Sequence, residues 1–179
     1  MHIPCFGPTA SLAKLESSKG FTRMLAGRLG LPSPAYHLSS DAEEAIAWWR
    51  EFGKPVVVKL DGLAAGKGVI VPSTLAEAID ALDRIMVRRV FGEAGREVVI
   101  EERLEGDEAS LIAITDGRSI LTLSPVQDHK AAYEGDTGPN TGGMGAYCPA
   151  SLISNEMLAQ VQEHVLVPTI HAMKRQRRP

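Results

Sequence analysis

The run Pro55-Val56-Val57-Val58-Lys59-Leu60 constrains this chain more than any other segment. It is short, rich in β-branched residues and almost wholly apolar, which suits a strand in a sheet interior. It leads directly into Asp61-Gly62-Leu63-Ala64-Ala65-Gly66-Lys67-Gly68 and out through Val69-Ile70-Val71. Strand, glycine-rich loop and short strand therefore follow one another without a break. The small residues of the loop let its backbone come close to a ligand.

Helical patterns surround this unit. Thr9 to Leu29 carry helix-like apolar spacing, with Gly30 and Pro32 as stop signals. Ser40 is placed to cap a helix from Asp41 to Glu51, with Glu43 completing a capping box. Thr74 and Glu77 repeat that pattern before a helix running to about Arg88. Glu97 to Glu102 is a further strand, and Asp116-Gly117 marks a hairpin between Glu108–Thr115 and Ser119–Leu123. Val126 to Pro149 is long, polar and glycine-rich, and is expected to be a functional loop. Ser154 to Met173 reads as a helix interrupted at Pro168. The mixture indicates an α+β or mixed α/β fold.

Three segments carry chemistry. In the glycine-rich loop, backbone N–H groups can cradle phosphate oxygens, and Lys59 and Lys67 add neutralising charge. The spacing is not that of a Walker A loop: Gly62 and Gly66 enclose three residues, and Gly68 stands where Ser or Thr would follow the lysine. A dinucleotide fingerprint is excluded as well, since Val71 occupies the third glycine position and no helix opens there. Taken alone, a hairpin loop with solvated lysines explains the segment equally well. The second segment, Val98 to Glu108, joins an apolar strand to five acidic residues. Such carboxylates can accept hydrogen bonds from ribose hydroxyls and exocyclic amines, though a solvated acidic turn is the commoner meaning. The third runs from Gln127-Asp128-His129-Lys130 to Asp136-Thr137-Gly138-Pro139-Asn140-Thr141-Gly142-Gly143-Met144-Gly145-Ala146-Tyr147. So many glycines carry an entropic cost that a bare surface turn would not justify, so an anion-binding nest is favoured.

Charge and cysteines narrow the classes. The net charge of −3 gives no electrostatic reason to bind nucleic acid, and the basic cluster Lys174, Arg175, Arg177 and Arg178 reads as a solvated tail. Cys5 and Cys148 are far apart and form no C-x-x-C pair, so free thiols in a reducing compartment are expected. With no bilayer-length apolar run and no secretory leader pattern, a cytoplasmic protein without membrane partners is expected.

In this order, the segments resemble the ATP-grasp region of the phosphoribosylamine–glycine ligase family. The resemblance extends to Phe6-Gly7-Pro8-Thr9-Ala10, Leu15-Glu16-Ser17-Ser18-Lys19, Phe91-Gly92-Glu93-Ala94-Gly95 and Val99-Ile100-Glu101-Glu102 with Leu104-Glu105-Gly106. It implies an α+β ATP-grasp fold of two mixed lobes with nucleotide between them. Entry helices would span 1–35, the N-terminal lobe 36–104 and a partial C-terminal lobe 105–179. The implied reaction joins glycine to 5-phosphoribosylamine in purine biosynthesis. ATP first converts the glycine carboxylate to an acyl phosphate, which the amine then attacks. ATP and Mg2+ (or Mn2+) are the implied cofactors.

By the same resemblance, Lys19 and Lys59 would contact the ATP phosphates or adenine, and the loop carrying Gly62, Gly66, Lys67 and Gly68 would close over the phosphates. Glu101 and the backbone of Glu102 to Leu104 would lie at adenine, and Glu108 would hold the ribose. Asp128, His129, Lys130, Asn140, Thr141, Gly142 and Gly143 would face the substrates. The family's Glu-Phe-Asn-x-Arg-Phe-Gly-Asp-Pro-Glu segment, which holds magnesium, is not in this sequence, so no metal ligand is expected here. An α/β domain that precedes this region in the family is also not in the sequence. The chain is therefore expected to be truncated at both ends and inactive alone, supplying nucleotide binding and part of substrate binding; the intact enzyme is expected to be a monomer. A non-catalytic ATP-binding fragment and another ATP-grasp carboxylate–amine ligase are the competing readings.

Overall fold

The valine run does become a strand, and the rest of the first half is built on it. In the computed structural model, residues 6–62, 68–135 and 137–176 are described, with the side chains of Pro139 and Asn140 also outside the description. The chain divides into two compact units, Met1–Leu104 and Glu105–Pro179.

In the first unit, β1 (Tyr36–Ser39), β2 (Val56–Leu60), β3 (Val69–Ile70) and β4 (Val98–Glu102) form one sheet in the order β1-β4-β2-β3, with every pairing antiparallel. One face carries the core. Val56, Val58 and Leu60 of β2 and Val98 and Ile100 of β4 are fully buried against Ala45 of α3 (Ala42–Phe52), Leu82 of α4 (Leu75–Leu82) and Ile85. Each such aliphatic side chain contributes roughly 1.5–3 kcal/mol on leaving water.

The expected single helix over Thr9–Leu29 is instead two, α1 (Lys14–Ser17) and α2 (Lys19–Leu29). Ser18 adopts an extended conformation between them, and its hydroxyl accepts the Phe21 N–H as the cap of α2. Gly30 ends α2 in the left-handed region at φ 65°, as a stop signal should. The cap of α3 is Asp41 rather than Ser40: one carboxylate oxygen, Oδ1, accepts from both Glu43 and Glu44 N–H. Thr74 caps α4 by accepting Glu77 N–H, while Glu77 reaches back to the N–H of Ser73. The helix then widens into a π-helical turn over Asp83–Val87.

The second unit contains two hairpins and a helical segment. β5 (Ala113–Thr115) and β6 (Ile120–Thr122) flank a turn in which Asp116 accepts from Arg118 and Ser119 N–H and Gly117 has φ 82°. The stretch expected to be a loop, Val126 to Pro149, is mostly a second hairpin of β7 (Gln127–Tyr133) and β8 (Thr137–Tyr147). Its glycines hid the strand from a hydrophobic-pattern reading, yet they permit it. Gly138 has φ 87°, and a Cβ there would run into the Tyr133 ring. The pairing passes from His129↔Gly145 to Ala131↔Asn140, so a two-residue advance on β7 meets a five-residue advance on β8. Thr141 to Met144, four residues opposite the single Lys130, bow out of the ladder as a large bulge. α5 (Asn155–Val161) and α6 (Val167–Arg175) close the unit, joined by a π-helical turn at Gln162–Leu166. Pro168 falls in the first turn of α6, where its lack of an N–H is tolerated. No helix among the described residues is long and apolar enough to cross a membrane.

Candidate functional site

Strand alternation gives the two faces of the first sheet different chemistry. While Val56, Val58 and Leu60 point into the core, Val57 and Lys59 point to the opposite face, as does Glu101 of β4. The register pairs Val57 with Glu101 and Lys59 with Val99. Glu101 and Lys59 are thus diagonal neighbours on one face, a separation that long side chains bridge. Lys59 Nζ donates to Glu101 Oε2 at 2.7 Å. Arg23 of α2 donates a two-pronged fork to the same carboxylate, Nε to Oε1 and Nη2 to Oε2, both at 2.8 Å.

The Glu101 side chain is 3% exposed, whereas Arg23 and Lys59 remain about a quarter exposed. Burial opposes ionisation of Glu101. The hydrogen bonds from Arg23 and Lys59, with their positive charge, outweigh it and hold the carboxyl below its ordinary value of 4.5. The result is a fixed group of two cations and one carboxylate where β2 enters the glycine-rich loop.

A second carboxylate ties this region to α2. Asp61 accepts from Gly20 N–H at 2.5 Å and from the Ser18 hydroxyl at 3.0 Å, so it sits on the free donors at the start of the helix. Lys19 is the first residue of that helix. Gly20 is closely approached: a Cβ there would lie 2.9 Å from Leu38 Cδ1, which would have to shift. At the loop's base, Leu60 N–H donates to Gly68 O at 2.8 Å, and Asp61 N–H to Glu97 O at 3.1 Å. A Cβ on Gly62 would come within 3.0 Å of Ala94, so the 3-10 turn Gly92–Gly95 abuts the loop root. Gly66 and Lys67 lie outside the described residues.

Glu102 turns to the other partners of β4. Its carboxylate meets Lys54 at 3.0 Å, and its N–H donates to Ala35 O. Leu104, at the end of the unit, is 68% exposed.

In the second unit, Glu108, Asp128 and Lys130 come together. Lys130 Nζ lies 2.5 Å from Glu108 Oε1 and 3.8 Å from Asp128 Oδ2. The hydrogen bond from Glu108 raises the Lys130 pKa above its ordinary 10.5, against a smaller opposing effect of burial. These side chains line a polar cavity of ≈ 180 Å³ with His129 and Gly138. His129 is exposed and stacks on Tyr147 at 5.8 Å, and the Tyr147 hydroxyl donates to Gln127 Oε1. Thr141 Oγ1 accepts Gly143 N–H, and Gly143 itself backs onto the Asp128 carboxylate. Gly142 lies in the same exposed bulge, and the Asn140 side chain is outside the described residues. Among the described residues, no group of three or more His, Cys, Asp or Glu side chains is placed to hold a metal ion.

Sequence reasoning missed Arg23, Ser18 and Asp61 as working members of the site. Arg23 falls four residues after Lys19 in a helical pattern, which puts two cations on one face and was the available signal.

Residues 17–179 match the family described as phosphoribosylglycinamide synthetase, ATP-grasp (A) domain. The chain belongs to this ATP-grasp family. Over 99% of its length it is 53% identical to the phosphoribosylamine–glycine ligase of Rhodopirellula baltica, and it covers 42% of that protein. For the ligase of the same name in Rhizobium meliloti, the identity is 52% over 96% of the chain and 40% of the relative. The crystal structure of the Thermotoga maritima phosphoribosylamine–glycine ligase superposes with a TM-score of 0.87 at 32% identity, covering 96% of this chain and 43% of that one. A biotin carboxylase domain from Hydrogenobacter thermophilus shares the ATP-grasp fold at a TM-score of 0.72 and 17% identity. The chain spans about two fifths of the length of the curated relatives it matches.

Proposed function

We propose that this chain supplies the ATP-holding part, and some of the substrate-facing part, of a ligase that joins glycine to 5-phosphoribosylamine through a glycyl phosphate. The observation that carries this reading is the Lys59–Glu101–Arg23 group at the mouth of the glycine-rich loop, in a chain of this family. A carboxylate is a poor electrophile, and phosphorylation gives it a leaving group. Such a step needs positioning and charge stabilisation more than side-chain covalent chemistry.

In this reading Lys59 and Lys19 meet the nucleotide phosphates, and the loop from Gly62 to Gly68 supplies backbone N–H groups to them. Glu101 has both carboxylate oxygens engaged by cations. Its part is therefore to hold Lys59, and adenine recognition falls to the backbone after it. Lys130 occupies only Oε1 of Glu108, which leaves Oε2 and a further lone pair to accept ribose hydroxyls in this reading. Asp128, His129, Lys130 and the bulge from Asn140 to Gly143 are proposed to face glycine and the phosphoribosyl amine, because cation, carboxylate and glycine backbone lie together there. Magnesium is proposed to accompany the ATP, and the side chains named here are proposed to meet its phosphates. A cytoplasmic setting and a monomeric intact enzyme belong to the same reading.

Calorimetric titration of MgATP into the chain tests it, with Lys59→Ala as the comparison. Saturable binding that weakens by about tenfold or more on substitution is expected, the scale of one charge-assisted phosphate contact. No binding by the folded chain, or binding indifferent to Lys59, would remove the reading.

A further inference from the structure

The ion group poses a physical problem of its own. A lysine meant to attract polyphosphate loses most of its pull if a buried carboxylate neutralises it, and Glu101 lies 2.7 Å from Lys59. We infer that Arg23 is a positioning residue that solves this: it holds both oxygens of Glu101, so that Glu101 can fix Lys59 without cancelling its charge. The inference rests on the nucleotide reading above.

Three features support it. First, the fork from Nε and Nη2 engages both carboxylate oxygens at 2.8 Å and fixes the plane of the carboxylate, which a single lysine donor could not do. Second, with one carboxylate between two cations, the group keeps a net positive charge. Lys59 gives one hydrogen bond to Glu101 Oε2, so an ammonium with three donors has two left for phosphate oxygens. Third, the helix that delivers Arg23 is pinned one turn earlier. Asp61, two residues past Lys59, accepts from Gly20 N–H and Ser18 Oγ at the start of α2. Helix, strand and loop root are therefore locked together at both ends of the site.

Arg23→Gln and Arg23→Lys separate this role from simple structural support. MgATP affinity of the full 179-residue chain is measured by calorimetry at several salt concentrations, with Lys59→Ala alongside and a melting curve for each variant. Arg23→Gln is expected to weaken binding by about tenfold and to flatten its salt dependence, because the site loses a charge that salt would otherwise screen. Arg23→Lys should restore the wild-type salt dependence and part of the affinity, since it returns the charge without the fork. A folded Arg23→Gln variant that binds within about twofold of wild type, or binds weakly with an unchanged salt dependence, overturns the inference. Should Arg23→Gln fail to fold, Arg23→Lys decides: a wild-type salt dependence with affinity clearly below wild type supports the role, and wild-type affinity without the fork overturns it. If Lys59→Ala binds as tightly as wild type, the nucleotide reading itself fails and Arg23 falls with it. If Lys59→Ala weakens binding and Arg23→Gln does not, only the role of Arg23 is lost.

Discussion

The two faces of the four-stranded sheet are made by the same residues in alternation, yet they do opposite things. On one face Val56, Val58, Leu60, Val98 and Ile100 meet helices and exclude water. On the other, Lys59 and Glu101 meet Arg23 and keep charge at the edge of solvent. The charged face takes its register from the aliphatic one. The aliphatic face fixes the register of β2 against β4, and that register alone makes Lys59 and Glu101 diagonal neighbours. A one-residue slip of β2 would send Lys59 into the core and leave Glu101 behind on the other face.

The comparison can be broken most severely from the aliphatic side. Leu82, fully buried against the sheet, should cost about 2–5 kcal/mol on substitution by alanine, read as a lower urea midpoint, because a cavity is left where collapse is restricted. The folded fraction should still bind MgATP with wild-type affinity. Coupled losses of stability and affinity would mean that the two faces are not separable.

On the charged side, Glu101→Gln should cost about 2 kcal/mol, less than a fully buried pair would, because both of its cations are about a quarter exposed. The same residue predicts a pH dependence with a definite sign. Its folded pKa lies below the ordinary 4.5, so the unfolded chain binds the proton more readily. Its stabilisation is complete above about pH 4.5 and is lost as pH falls through the lower folded value. Acid unfolding curves of wild type and Glu101→Gln should converge in that range, and curves that stay parallel would contradict the ion group.

A smaller effect sharpens the link between the faces. Asp61→Ala removes the acceptor at the start of α2 and should lower stability by about 1 kcal/mol, measured as a shift in melting temperature. The smallest effect belongs to the exposed pair in the other unit. Lys130→Met should change stability by no more than about 0.5 kcal/mol, since Glu108 is 65% exposed. A larger loss would show that the cavity beside β7 is a structural centre and not only a candidate substrate site.

What could be read in the sequence follows the same division. The valine strand, the loop root, the helix stop at Gly30 and the helix start at Thr74 are legible because alternation and capping are local signals. The break at Ser18 was not, since Ser18 is extended only because its hydroxyl serves both Phe21 N–H and Asp61, a partner 43 residues away. The β7–β8 hairpin is not legible as strands because glycine and polar residues carry no strand pattern; its pairing depends on a large bulge and on Tyr133 packing over Gly138. Lys59 and Glu101 were both singled out, but not as one group. Their contact is set by strand register, and Arg23 joins them from a helix 78 residues away in sequence from Glu101.

The most direct test of the account is to follow backbone amide resonances of the chain during titration with MgATP. Shifts should concentrate at Lys19, Lys59, Gly62 and Gly68, with little change at Ala78, Ala81 and Leu82 beneath the aliphatic face. Shifts centred on the α4 side of the sheet, or none at saturating nucleotide, would contradict the assignment of the charged face to ATP.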